Sequence, residues 1–177
     1  AVSRGTSHWT NGAETASLQA QDATAALDPS GAVVLHWDIR IPARGTTTIA
    51  WEVSAHDANA VVRGVERSAS WNTPTIAAGD DRLGRWVTAA LDDLDALRLS
   101  TVTEPERVFL AAGAPWFFTL FGRDSLWAAR FMLPLGTKLA GDTLRILAGL
   151  QGRAEVAATA EQPGKIMHEL RLGTLTI

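Results

Sequence analysis

The sequence contains no cysteine, which excludes disulfides and Cys-ligated metal sites and leaves the redox compartment open. It has no Gly-x-Ser-x-Gly elbow and no phosphate-binding loop; with the thiol also missing, esterase, kinase and thiol chemistry are disfavoured. His8, His36, His56 and His168 lie far apart and form no ligand pair at helical spacing, so no metal is expected. No apolar run reaches the roughly 18 residues needed to cross a bilayer, and no signal-peptide pattern opens the chain. A net charge of −3 provides no electrostatic footprint for nucleic acid or an anionic membrane. There is no internal repeat or low-complexity segment. No metal site is expected, and the protein is expected to be cytoplasmic.

What is present is ordinary for a folded chain. At 177 residues there is room for one domain or two small ones. Hydrophobic content of 46% against 20% charged residues excludes general disorder. Arginine far outnumbers lysine, which occurs only at Lys138 and Lys165. The chain starts Ala1-Val2 and stops at Leu175-Thr176-Ile177, and both ends read as cut from something longer.

The first part has the two-residue period of β-strands. Val33, Leu35, Trp37, Ile39 and Ile41 alternate with mostly polar neighbours, predicting a strand with five side chains on one buried face. Pro42-Ala43-Arg44-Gly45 predicts a turn, and Thr46 to Val53 a second strand with Ile49, Trp51 and Val53 inward. Together they predict an antiparallel hairpin with one dry face. Weaker strand signals lie at Leu18–Ala23 and Ala60–Val65. So few strands do not close a sandwich, so more sheet is expected on the N-terminal side.

The period changes to about 3.6 beyond Ser70–Thr75. Asp80 and Asp81 suit an N-cap and first turn, and Leu83, Trp86, Val87, Ala90, Leu91, Leu94 and Leu97 form an apolar stripe over Asp81–Leu99. Asp92, Asp93 and Asp95 read as its solvated face. A loop is expected over 100–122, then a helix over 124–133 ended by Pro134 and Gly136. A third helix is expected over 137–151, with Leu139, Leu144, Leu147 and Leu150 inward and Gly152 as its stop. A fourth would begin after the Pro163-Gly164 loop.

Two constellations carry chemistry. In the first, Trp116, Phe117, Phe118 and Phe121 precede Gly122-Arg123-Asp124-Ser125 at a helix start. Aromatic faces beside a guanidinium and a carboxylate suit a polyhydroxylated ring, which stacks through its C–H face and bonds through its hydroxyls. The plainer alternative is that Asp124 or Ser125 caps the helix and Arg123 pairs with a nearby carboxylate. The second constellation is Lys165, His168, Glu169 and Arg171, which on spacing alone reads first as a solvated amphipathic turn.

Taken in order, Ala111-Ala112-Gly113-Ala114-Pro115-Trp116-Phe117, Phe121-Gly122-Arg123-Asp124-Ser125-Leu126, Thr143-Leu144-Arg145, Leu150-Gln151-Gly152 and Glu161-Gln162-Pro163-Gly164-Lys165-Ile166-Met167-His168-Glu169-Leu170-Arg171 resemble the bacterial glycogen-debranching, amylo-α-1,6-glucosidase-like family. The resemblance covers about residues 80 to 173. The upstream β region resembles, less specifically, the end of that family's N-terminal sandwich domain.

The resemblance implies an α+β fragment: residues 1–75 as the C-terminal part of a β-sandwich, and 76–177 as the N-terminal part of an (α/α)6 glycosidase toroid. It implies hydrolysis of α-glucosidic bonds in glycogen-like glucans, at α-1,6 branch points, with inversion and no cofactor. Arg123 and Asp124 would hold hydroxyls of the non-reducing-end glucose, with Trp116 and Phe117 as one wall and Lys165, His168 and Glu169 as the other. Both motifs would occupy loops on the same barrel face. The acid and base that glycoside hydrolysis requires would come from later barrel loops, beyond residue 177. The 177-residue chain is therefore expected to be inactive alone. Gln162 departs from a carboxylate in the family pattern. Two other readings remain open from the sequence: a noncatalytic carbohydrate-binding or interaction module, and a barrel hydrolase for small glucosides. Oligomeric state is not legible.

Overall fold

A computed structural model describes residues 3–171. The fold is α+β, with two antiparallel sheets and three α-helices among these residues. None of the helices is long and apolar enough to cross a membrane. The chain divides into two compact units, 1–59 and 60–177, so the division falls nearer the N-terminus than residue 75.

The first unit is one sheet built on a long strand. β1 (Ser3–Asn11) and β2 (Glu14–Leu27) form a hairpin whose two-residue loop has Gly12 at φ +61°. Glycine at that first central position is what a type II′ turn requires, and the twist of such turns matches that of the flanking strands. β3 (Val33–His36) pairs with Thr24–Leu27 of β2, and β4 (Trp51–Asp57) with Glu14–Ala20.

The expected hairpin between residues 33–41 and 46–53 is therefore not formed. Its turn exists, with the Gly45 amide donating to the Pro42 carbonyl at 2.9 Å, but the flanking segments pair with β2 instead of each other. Trp37 is held the same way, its indole donating to the Gln21 carbonyl at 2.9 Å. Val33, Leu35 and Trp37 are half-buried, whereas Ile39, Ile41, Ile49, Trp51 and Val53 are exposed, contrary to the expected inward face. β2 outcompetes the local hairpin because one continuous 14-residue strand offers backbone groups to both segments.

The second unit combines sheet and helix. β5 (Val62–Gly64), β6 (Arg98–Thr101) and β7 (Glu104–Leu110) form its sheet. β5 meets the weak signal at Ala60–Val65, but β6 and β7 occupy what was expected to be the start of a loop. β7, an outer strand of that sheet, contributes to two cores: Phe109 belongs to one with Leu99, Ala111, Leu120, Ile146 and Leu147, while Val108 and Leu110 belong to another with Met132 and Leu139. A strand buried on both faces reads as a continuous apolar run, here 108–111, and shows no alternation.

α1 (Asp81–Ala96) starts as expected, with the Asp80 side chain accepting from the Arg82 amide at 2.9 Å. Only the C-terminal part of its stripe, Leu91 and Leu94 with the following Leu97, packs on a core; Leu83 and Trp86 are exposed. Asp92 and Asp93 are solvated, but Asp95 pairs with the buried Arg98 at 2.6 Å. α2 (Gly122–Phe131) runs into a single 3₁₀ turn at Leu133–Leu135, and α3 is Lys138–Gly149. Leu139 and Leu147 face inward as expected, and Leu150 packs against the first core, but Leu144 is exposed. Residues 161–171 form no helix, and any helix beginning after them lies outside the described residues.

Candidate functional site

The start of α2 is set by its neighbours more than by capping. Its N-cap, Phe121, makes no side-chain cap bond. Ser125 instead donates from Oγ to the Leu110 carbonyl at 2.9 Å, tying α2 to β7 inside the protein. The capping alternative thus fails for Ser125, while Asp124 sits in the first turn, where a negative charge is favoured by the helix dipole. Gly122, Ser125 and Ala129 form a small-residue stripe that is fully buried.

The two constellations meet on this frame. The Gly122 amide donates to the His168 carbonyl at 3.0 Å, and the Leu170 amide to the Leu120 carbonyl at 2.9 Å. Phe121 and Glu169 are antiparallel partners, and Thr119 Oγ1 adds a bond to the Leu170 carbonyl at 2.6 Å. The approach is so close that a Cβ at Gly122 would collide with the Met167 carbonyl oxygen and the Ile166 side chain. Glycine is required there by space rather than by φ.

The far end of the second segment is also fixed. Gly152 donates to the Lys165 carbonyl and accepts from the Gly164 amide, both at 2.8 Å. Glu161 Oε1 accepts from the backbone amides of Arg153 (2.9 Å) and Ala154 (3.3 Å). Those two bonds, Arg153 first, hold its carboxyl below the usual glutamate value.

Each expected site residue can now be placed. Trp116 and Phe117 are exposed, at 78% and 55%, and Phe117 meets buried Phe121 edge-on at 5.9 Å. Arg123 Nε stands 4.0 Å from Asp124 Oδ2, too far for a hydrogen bond, so neither group is consumed by the other. Both are substantially exposed. His168 packs edge-on against Phe121 with centroids 5.7 Å apart. Lys165 Nζ donates to the Ala160 carbonyl at 2.6 Å.

Glu169 is the least available. Arg171 donates from Nε to its Oε2 at 2.9 Å and from Nη2 to the Trp116 carbonyl at 2.6 Å, so Arg171 clamps the two segments together. An open groove of about 790 Å³ beside α2 and α3 is lined by Arg123, Lys165 and His168, with Leu126, Trp127 and Met167 among its apolar walls. Trp116, Phe117, Asp124 and Glu169 are not part of that lining.

Thr119, Trp127 and the bonding role of Arg171 were not legible in the sequence, and Ser125, read there as a cap, bonds to β7 instead. The Gly122–Ser125–Ala129 spacing of three and four residues was a usable signal that this face of α2 packs against backbone. Nothing local could reveal the Thr119–Leu170 bond, whose partners are 51 positions apart.

Among the described residues no group of three or more His, Asp or Glu could hold a metal ion. Aromatic faces, an open guanidinium and an open carboxylate can stack on and hydrogen-bond a polar ring. Compared with known proteins, the chain matches no family model, and no curated protein matches it.

Proposed function

We propose that this surface binds the terminal glucose of an α-glucan and belongs to a glycoside hydrolase acting on α-glucosidic bonds, foremost α-1,6 branch points of glycogen-like glucans. One observation supports the reading most. The Trp116–Asp124 and Lys165–Arg171 segments, remote in sequence, are bonded into one surface through Phe121 and Glu169. On this reading Arg123 and Asp124 grip hydroxyls, Trp116 and Phe117 stack on the ring, and Lys165 and His168 border it. Glu169, clamped by Arg171, positions the Trp116 backbone more than it touches sugar.

The proposal extends to an (α/α)6 toroid. Exposed Leu83, Trp86, Trp127, Phe131 and Leu144 give all three helices apolar surface of the kind that further helices cover. Inversion needs a general acid and a general base about 6.5–9.5 Å apart, and we assign neither to the described residues.

A second reading, a noncatalytic glucan-binding module, is favoured by one fact: among the described residues Arg171 holds Glu169, and of the two site carboxylates only Asp124 is without a hydrogen-bonded partner there. A third, a hydrolase for small glucosides, has no observation of its own.

The test pairs binding with turnover. Maltoheptaose should perturb the Trp116 indole resonance, and Asp124→Ala should weaken that response about tenfold, as expected for charge-assisted bonds worth roughly 1.5–3 kcal/mol. Glucose release from a branched limit dextrin is then measured. Binding without release by the 177-residue chain is the expected result. Release would overturn the assignment of the acid–base pair to later barrel loops, and an unmoved Trp116 signal would sink the sugar reading.

A further inference from the structure

β1, β2 and β4 lie side by side at the hairpin end of the first unit, and their register stacks two rows of side chains on one face. Trp9, Ala16 and Ala55 form one row; Asn11, Glu14 and Asp57 form the next, two residues along each strand. On the other side of the Trp9 row comes Ser7, Leu18 and Val53. The face therefore changes from apolar to polar within one row, and Trp9 stands at the change.

Both rows, with Thr10, Thr15 and His56 of the row between them, line a depression of about 620 Å³, in which Trp9 keeps 42% of its surface exposed. Its cross-strand neighbour Ala16, and Ala55 beyond it, carry only methyl groups and are too small to cover an indole. The polar row is held in place: Asn11 Nδ2 donates to Glu14 Oε2 at 3.3 Å, and Asp57 Oδ1 accepts from the Asn59 amide at 2.8 Å. A carboxylate has about four acceptor sites, so each retains capacity for hydroxyl protons.

An indole face bordered by a line of acceptors matches a pyranose, which presents C–H groups on its face and hydroxyls at its edge. Two carboxylates at the rim disfavour uronates and sugar phosphates, which selects a neutral chain. We propose that the Trp9 shelf binds a glucopyranose unit of a neutral glucan, independently of Arg123 and Asp124.

The experiment follows tryptophan indole resonances during titration with maltoheptaose and, separately, cellohexaose. The Trp9 signal, assigned by its absence in Trp9→Phe, should move saturably with at least one of them. Asp124→Ala should leave that movement intact. Glu14→Ala, a change at the exposed end of that face, should weaken it about threefold, and Trp9→Ala should weaken retention on immobilised glucan about three- to tenfold. A Trp9 indole that stays still with both sugars overturns the proposal, as does a Glu14→Ala protein that binds unchanged. Movement of Trp9 with Trp116 unmoved would overturn the reading of the Arg123–Asp124 surface alone. The reverse pattern would overturn only this one.

Discussion

The two units are held together by different means. Among the described residues, the buried hydrophobics of the first unit are Leu18, Ala20, Ala23 and Ala25, a single large side chain and three methyl groups. The second unit buries Phe109, Leu99, Leu110, Leu120 and Ile146 almost completely, in two clusters on either side of β7. Backbone ladders onto one long strand therefore organise the first unit, and side-chain packing organises the second. Backbone pairing tolerates side-chain change, whereas close-packed cores do not. That difference places the candidate sugar surface of the second unit on the more rigid support.

The comparison breaks first at Phe109. Phe109→Ala should destabilise the second unit by about 3–5 kcal/mol, read as a shift of its urea transition, because both transfer energy and a cavity are lost. Leu18→Ala should cost about 2 kcal/mol, felt as loss of the first unit's transition alone. Equal costs at the two positions would show that the first unit has more packing than its exposed Trp51 and Val53 suggest.

A smaller change sharpens the account of the site. Gly122→Ala should cost about 1–2 kcal/mol by forcing Met167 away. It should also speed amide exchange at Leu170 and abolish the sugar response of Trp116. Normal exchange would mean that the 166–170 segment is held by other contacts.

The smallest effect concerns Glu161. Its carboxyl value is lowered in the folded chain, chiefly by the Arg153 amide. Its contribution is thus fully present above the ordinary glutamate value and is lost as pH falls through the lowered one. Arg153 and Ala154 amides should lose exchange protection over that acid range and show none at any pH in Glu161→Ala. Protection that ignores pH would remove Glu161 from the loop's support.

The sequence was most legible where one face of a helix decides burial. Asp80 as N-cap, the Leu91–Leu94–Leu97 stripe and the Pro134–Gly136 stop could all be read from local pattern, since caps and 3.6-residue periods are properties of short segments. It was least legible in β2. There Asp22 takes φ +58°, and burial switches from Leu18 and Ala20 to Ala23 and Ala25, so the alternation that identifies a strand is broken in its middle. β7 was hidden for the opposite reason, because both of its faces are covered.

What the residues alone determined is chemical. They supply an aromatic, arginine and carboxylate cluster at a helix start, a second charged cluster after a Pro-Gly loop, and a chain without thiols. Tertiary structure alone decided which of those groups remain free. Hydrogen bonds among residues 119–122 and 168–170 join the clusters, and Arg171 occupies Glu169 while Arg123 and Asp124 stay open. The reason is reach. Periodicity and capping act over a few residues, whereas the contacts that assemble this surface link positions about fifty apart, and their partners are chosen only when sheet and helices pack.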